Sequence, residues 1–245
     1  MGRERADILL VKRGLAGSRE KAKRLIMAGS VIIRDKKVKK PGELIDEEEE
    51  LRVGKPLPYV SRGGIKLSFA LDHFEIDPRG KVGLDVGAST GGFTDCLIKR
   101  GAEKVYAIDV GYGQLDWRLR KDPRVAPIER QNIRYFTKDM LPEPVDLITV
   151  DVSFISLKKV LPHLIPLIKG NGEIICLIKP QFEVGKEEVE KRGIIKTAEK
   201  HRKVVDEITH FAEKIGLKVR GVIQSPLLGA EGNKEFFIYL IRPAS

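Results

Sequence analysis

The chain has 245 residues, 42% apolar and 33% charged. That suffices for one sizeable core plus a small module and excludes a disordered or collagen-like chain. The net charge is +10, but residues 1–40 hold thirteen Lys and Arg against four Asp and Glu, and the rest is nearly neutral. Such asymmetry points to a polyanion-binding module joined to a neutral domain.

Residues 5–13 fit a short helix with Ala6, Leu9 and Leu10 on one face, closed by Gly14-Leu15. Ser18 is a good N-cap for a second helix over 19–28, with Glu20 in its first turn and Gly29 as its stop. Strand-like alternation follows at Val31-Ile32-Ile33, a polar Asp35-Lys36 turn, residues 37–39 and Leu51-Arg52-Val53, with the acidic run 46–50 as a solvated turn. Residues 1–54 thus read as a small basic αβ module for a polyanion, with Arg5, Arg19, Lys23 and Arg24 as candidate phosphate contacts and Arg62 as a further candidate contact. Residues 55–60 contain Lys55-Pro56-Leu57-Pro58 and predict an extended linker, because both prolines oppose helix.

Residues 61–245 change texture. Apolar strands are predicted at 82–86, 105–110, 145–150, 173–178, 217–223 and 236–241, with helical patterns at 91–99, 157–168 and 196–215. This alternation predicts an α/β, Rossmann-like domain with a mostly parallel sheet, whose ligand crevice lies beyond the C-terminal strand ends.

The first strand runs into Asp85-Val86-Gly87-Ala88-Ser89-Thr90-Gly91-Gly92-Phe93. A nicotinamide fingerprint needs G-x-G-x-x-G, and Ser89 stands where its middle glycine belongs. Asp85 is awkward beside a pyrophosphate but suits the ammonium and sulfonium of S-adenosylmethionine. Asp109, at the next strand end, is placed to accept both ribose hydroxyls. The turn from Gly87 to Phe93, with Asp85 and Asp109, is therefore the candidate S-adenosylmethionine site. Asp151 ends another strand, Lys179 ends an almost wholly apolar one, Glu235 precedes the last, and Lys66 is expected just before the domain's first helix. Charges at such positions are costly unless paired, so Lys66, Asp151, Lys179 and Glu235 form a candidate proton-handling cluster. His73, His163, His201 and His210 lack metal-ligand spacing, and no metal is expected. Cys96 and Cys176 lie in apolar runs and indicate a reducing compartment. No apolar run reaches the roughly 18 residues of a membrane helix, and the N-terminus lacks a signal-peptide core. A cytoplasmic protein without membrane contact is expected.

The pattern Ser61-Arg62-x-x-x-Lys66-Leu67, Asp85-x-Gly87-x-x-x-Gly91-Gly92-Phe93, Asp151, Lys179-Pro180 and Glu235 resembles the FtsJ-like RNA ribose methyltransferases. Asp151-Val152-Ser153-Phe154-Ile155-Ser156-Leu157, Lys179-Pro180-Gln181-Phe182-Glu183 and Gly232-Asn233-Lys234-Glu235-Phe236 resemble its TlyA branch, whose older name is hemolysin A. The N-terminal Arg5-Ala6-Asp7-x-x-Leu10, Gly14-Leu15-x-x-Ser18-Arg19 and Gly29-x-Val31 are similar to the RNA-binding domain of ribosomal small-subunit protein four. The resemblance implies a Lys-Asp-Lys-Glu catalytic tetrad, S-adenosylmethionine as cofactor, and a ribose 2′-hydroxyl of ribosomal RNA, of a cytidine, as acceptor. Ribosomal RNA or ribosomal subunits are the implied partners, met by a monomer.

Competing chemistries fit less well. Carbon-5 cytosine methylation needs a cysteine nucleophile, and amino methylation uses an Asn/Asp-Pro-Pro-aromatic turn where this chain has Asp151-Val152-Ser153-Phe154. An RNA-binding assembly factor would not need all four tetrad positions filled. A cytolysin, as the older name suggests, needs a membrane-competent segment. The charged loop 183–193 could close over RNA or simply be solvated, and Ser225 to Gly232 forms a second rim loop.

Overall fold

A computed structural model describes residues 2–27, 29–33, 36–38, 40–54, 57–185, 194–195, 197–229 and 232–244. The charged loop 183–193 lies largely outside the described residues, which break off after Gly185 and resume at Ile194. The chain forms two compact units, Met1–Arg62 and Gly63–Ser245.

In the first unit, β1 (Arg3–Arg5) pairs antiparallel with β4 (Leu44–Asp46), and β2 (Val31–Ile33) lies between β3 (Lys36–Lys37) and β5 (Leu51–Val53). The β1–β4 pair was not anticipated, because three residues give too short a period to read. Helices α1 (Ala6–Lys12) and α2 (Arg19–Met27) bury Ala6, Leu9, Leu10, Ala22 and Ile26 against Val31, Ile45 and Leu51. The Ser18 hydroxyl accepts from the Lys21 N–H at 3.2 Å, as an N-cap does.

The second unit is built on a seven-stranded sheet of β6 (Val82–Val86), β7 (Lys104–Ile108), β8 (Val125–Ile128), β9 (Val145–Val150), β10 (Ile168–Ile178), β11 (Lys218–Gln224) and β12 (Phe236–Ile241). Its order is β11-β12-β10-β9-β6-β7-β8, parallel from β8 to β10, with β12 and β11 antiparallel. From β6 the chain steps outward to β7 and β8, then returns to the other side of β6 with β9. This reversal sends the connections after β6 and β9 to opposite sides and leaves a crevice at the C-terminal strand ends. β6, β9 and most of β10 are buried on both faces, which explains their unbroken apolar runs.

Two predicted elements differ, and one strand lies where none is predicted. Strand β8 was missed: Val125-Ala126-Pro127-Ile128 is short and contains a proline, tolerable because β8 is an edge. The single helix expected over 157–168 is instead a 3₁₀ turn (Leu157–Lys159), α6 (Leu161–Leu164) and another 3₁₀ turn (Ile165–Leu167), interrupted around Pro162 and Pro166. β10 begins at Ile168 rather than 173. The remaining α-helices are α3 (Arg62–His73), α4 (Gly92–Lys99), α5 (Trp117–Arg120) and α7 (Ala198–Lys214); Lys66 lies within α3 rather than before the domain's first helix.

Candidate active site

A cleft of about 910 Å³ opens at the C-terminal ends of β6, β7 and β9. Gly87, Ser89, Asp109, Gln131, Asn132 and Asp151 line it, together with Phe154 and Glu183. Gly87 has φ +84°, and a Cβ there would come within 2.5 Å of the Asp151 carbonyl oxygen. Only glycine lets the loops after β6 and β9 approach so closely. The Asp109 carboxylate accepts from the Ser89 and Gly111 N–H groups, each at 2.7 Å, and fixes the loop while facing the cleft.

Asp85 departs from its expected position. It is wholly buried and absent from the cleft wall, turned toward the sheet. Its Oδ2 accepts from the Thr94 N–H at 2.9 Å and the Thr94 hydroxyl at 2.6 Å, and its Oδ1 accepts from the Thr149 hydroxyl at 3.1 Å. It therefore anchors the start of α4 to β9. Burial pushes its carboxyl up to about 7. Ala88, Thr90, Gly91, Gly92 and Phe93 also lie off the cleft wall; Phe93 packs on Phe237 with centroids 6.2 Å apart.

The raised Asp85 carboxyl has a consequence for stability. Between about pH 4 and 7 the native state keeps a proton that the unfolded chain has lost. The associated stabilisation is full below pH 4 and declines as pH rises to 7, by up to about 1.4 kcal/mol per unit. Urea denaturation of the parent and Asp85→Asn should therefore give curves whose separation changes between pH 4.5 and 7.5, the Asn variant gaining relative stability. Parallel pH dependences would mean that Asp85 titrates as an ordinary carboxylate.

The four predicted tetrad residues form two pairs. Lys179 Nζ lies 2.6 Å from Asp151 Oδ1 and donates to Ser153 Oγ at 3.0 Å. Lys66 Nζ lies 2.6 Å from Glu235 Oε2, with the side chains 11% and 2% exposed. The Glu235 carboxylate turns to Lys66 rather than to Lys179. The antiparallel register Ile178↔Phe236 sets Lys179 and Glu235 at the same edge of adjacent strands. Gly229 makes room for the Glu235 carboxylate, because a Cβ at that position would overlap Oε1.

Other parts of the site were not legible. Gln131 and Asn132 follow the missed strand β8. Glu183 accepts from the Ser156 hydroxyl at 2.5 Å and the Leu157 N–H at 2.8 Å, which ties the turn after β10 to the loop after β9; burial raises its carboxyl. Phe154 has φ +63° and is 89% exposed, with its ring 4.9 Å from Phe182.

In the N-terminal unit, the fully buried Asp7 accepts from Arg5 at 3.0 and 3.1 Å and from Arg19 at 2.9 Å. The two guanidiniums hold its carboxyl down at about 2. Lys23 pairs with Glu20 at 2.7 Å, and Arg24 and Arg62 are exposed. Among the described residues, no group of three or more His, Cys, Asp or Glu could hold a metal ion.

Residues 59–242 match the FtsJ-like methyltransferase family, and residues 4–51 match the S4 domain. The chain belongs to the FtsJ-like methyltransferase family. Its parallel sheet, with an antiparallel β12–β11 end, is the methyltransferase scaffold, and the protein is a methyltransferase with an N-terminal S4 domain. A Bacillus subtilis (strain 168) protein carrying an rRNA methyltransferase name, YqxC, is 48% identical over 98% of this chain and 86% of its own. The 16S/23S rRNA (cytidine-2′-O)-methyltransferase TlyA of Mycobacterium tuberculosis (strain ATCC 25618 / H37Rv) is 45% identical over 97% of this chain and 90% of its own. A solved Streptococcus thermophilus structure with a hemolysin name is 43% identical with a TM-score of 0.78, covering all of this chain and 90% of the other. No described helix of this FtsJ-like methyltransferase is long and apolar enough to cross a membrane.

Proposed function

We propose that the protein transfers a methyl group from S-adenosylmethionine to the 2′-hydroxyl of a cytidine in ribosomal RNA. The observation that carries this reading is the Lys179–Asp151 ion pair, set where Asp151 meets the cleft wall. The TlyA relative's rRNA (cytidine-2′-O) name supports the acceptor. The cleft suits the cofactor: it is large, the loop 87–91 carries no cation such as a pyrophosphate would favour, and Asp109 offers carboxylate oxygens for ribose hydroxyls. When bound, S-adenosylmethionine supplies an electrophilic methyl on sulfur.

The protein's own task is to orient a weak nucleophile and stabilise the charge that develops on it. Lys179 Nζ, held by Asp151 and Ser153, provides a fixed proton-handling or cationic group, and Lys66, fixed by Glu235, adds a second positive centre. Phe154 offers an exposed ring for the target base. In this reading the protein acts as a cytoplasmic monomer. Residues 1–54 bind RNA through Arg5, Arg19, Lys23 and Arg24, Arg62 adds a contact, and residues 55–60 link them to a catalytic domain at 61–245. The test is incubation with labelled cofactor and deproteinised rRNA or separated subunits, followed by mapping. Label on a cytidine ribose is expected; label on a base, or none on any RNA, overturns the reading.

Two variants probe its parts. Asp109→Ala should weaken S-adenosylmethionine binding by roughly 1.5–3 kcal/mol in calorimetry, the range for hydrogen bonds to a charged group. NAD should not bind; tight NAD binding without S-adenosylmethionine binding would reverse the cofactor assignment. Arg24→Gln should lower the log–log salt slope of RNA affinity by about 0.7–0.9 if one phosphate contact is lost. An unaltered slope removes Arg24 from the interface.

A further inference from the structure

We infer that the catalytic unit carries its own docking surface for an unpaired RNA strand, formed by the exposed rings of Tyr112, Trp117 and Tyr135 beside the cleft, a proposal that rests on RNA being the substrate. The rings are 68%, 65% and 69% exposed. Arg130 lies 4.3 Å from the Tyr112 ring centroid, Lys121 5.3 Å from Trp117 and Arg134 5.6 Å from Tyr135. All three of these cation–ring contacts fall between residues 112 and 135. Their concentration sets them apart from isolated surface aromatics.

Local structure joins them to the active site. Tyr112 and Trp117 lie on the segment after β7, and Tyr135 closes the 3₁₀ turn Ile133–Tyr135 after β8. The Arg130 N–H donates to the Gly111 carbonyl and the Gln131 N–H to the Asp109 carbonyl, each at 3.0 Å, so the two segments are laced together. Arg130 has φ +56°, an uncommon conformation that this lacing holds in place. Gln131 and Arg134 continue onto the cleft wall, whereas the three rings do not line it. A cofactor in the cleft therefore leaves the rings available.

The chemistry selects the occupant. Every base has a π-face, so exposed rings accept bases with little regard to sequence, while adjacent guanidinium and ammonium groups meet phosphates. A duplex hides its base faces in its own stack, so an unpaired segment flanking the target nucleotide is the complementary partner.

Trp117 is the only tryptophan in the chain, and its emission reports on the platform directly. The full-length protein should show saturable quenching with a short single-stranded oligoribonucleotide and a much weaker response to its blunt duplex. Tyr112→Ala and Tyr135→Ala should each raise the single-strand Kd about tenfold, a stacking-sized effect. Tyr135→Phe should retain the parent's Kd, and S-adenosylmethionine affinity should stay unaltered in all three. Unchanged Trp117 emission at saturating strand, equal responses to strand and duplex, or parent-like binding by both Ala variants would overturn the platform. If the platform alone is wrong, the parent still methylates rRNA; if the parent fails to methylate while the strand still quenches Trp117, the methyl-transfer reading fails instead.

Discussion

Lys179→Ala should lower methyl transfer by about 100-fold or more while leaving the fold and cofactor affinity intact. The factor is the lower range for a positioned general acid–base group. The side chain ends β10, with its amine 2.6 Å from Asp151 Oδ1 and 3.0 Å from Ser153 Oγ. Its removal takes away a cation but leaves the apolar strand beneath it. The Asp151 side chain is 24% exposed, so water can solvate the carboxylate left behind. Single-turnover rates with saturating RNA, alongside calorimetric cofactor binding, separate chemistry from assembly. Lys179→Arg should not restore the rate, because a planar guanidinium stays protonated and cannot reproduce the compact ammonium geometry. Substantial activity in the Arg variant would exclude proton removal by Lys179 and leave charge stabilisation alone. Near-normal activity in the Ala variant would remove Lys179 from the mechanism and undermine the tetrad assignment.

The positions around Lys179 are legible because a strand buried on both faces reads as an unbroken apolar run, and its end is where that run stops. Asp109, Asp151, Lys179 and Glu235 each stand immediately before or after a buried run, and a charge there has few places to go but the crevice. Asp85 was misplaced for a related reason. It lies within β6, whose five residues are all buried, so alternation does not reveal which face its carboxylate takes. Its partners, Thr94 and Thr149, are local and distant respectively, and only the assembled sheet brings them together. The pairing of lysines with carboxylates is similarly hidden: the sequence shows the four groups, whereas tertiary packing, with the open space at Gly229, turns Glu235 to Lys66 although the β10–β12 register sets it opposite Lys179. Asp7 is legible as a motif residue but not as a buried one, and its burial organises two of the arginines proposed to face RNA.

The two pairs should respond differently to truncation because their burial differs. Lys66→Met should destabilise the protein by about 3–5 kcal/mol, the cost of leaving a buried charge without its partner. Glu235 is only 2% exposed and Lys66 11%, and the carboxylate is tucked against Gly229, where there is little room for compensating water. For a domain of this size the transition should move down by roughly 10 °C. Lys66→Met/Glu235→Met should recover most of that loss, because replacing both members of a buried pair with apolar groups of similar volume is often neutral or stabilising. Methyl transfer should remain impaired in both variants. The thermal cycle thus separates the stability role of the Lys66–Glu235 contact from its chemical role, which activity measurements on single variants cannot do. A Lys66→Met protein as stable as the parent would show that Glu235 finds water or another donor, and the buried ion pair would then not hold this edge of the sheet together. A double variant that regains both stability and activity would remove the pair from catalysis and leave Lys179 and Asp151 to act without it.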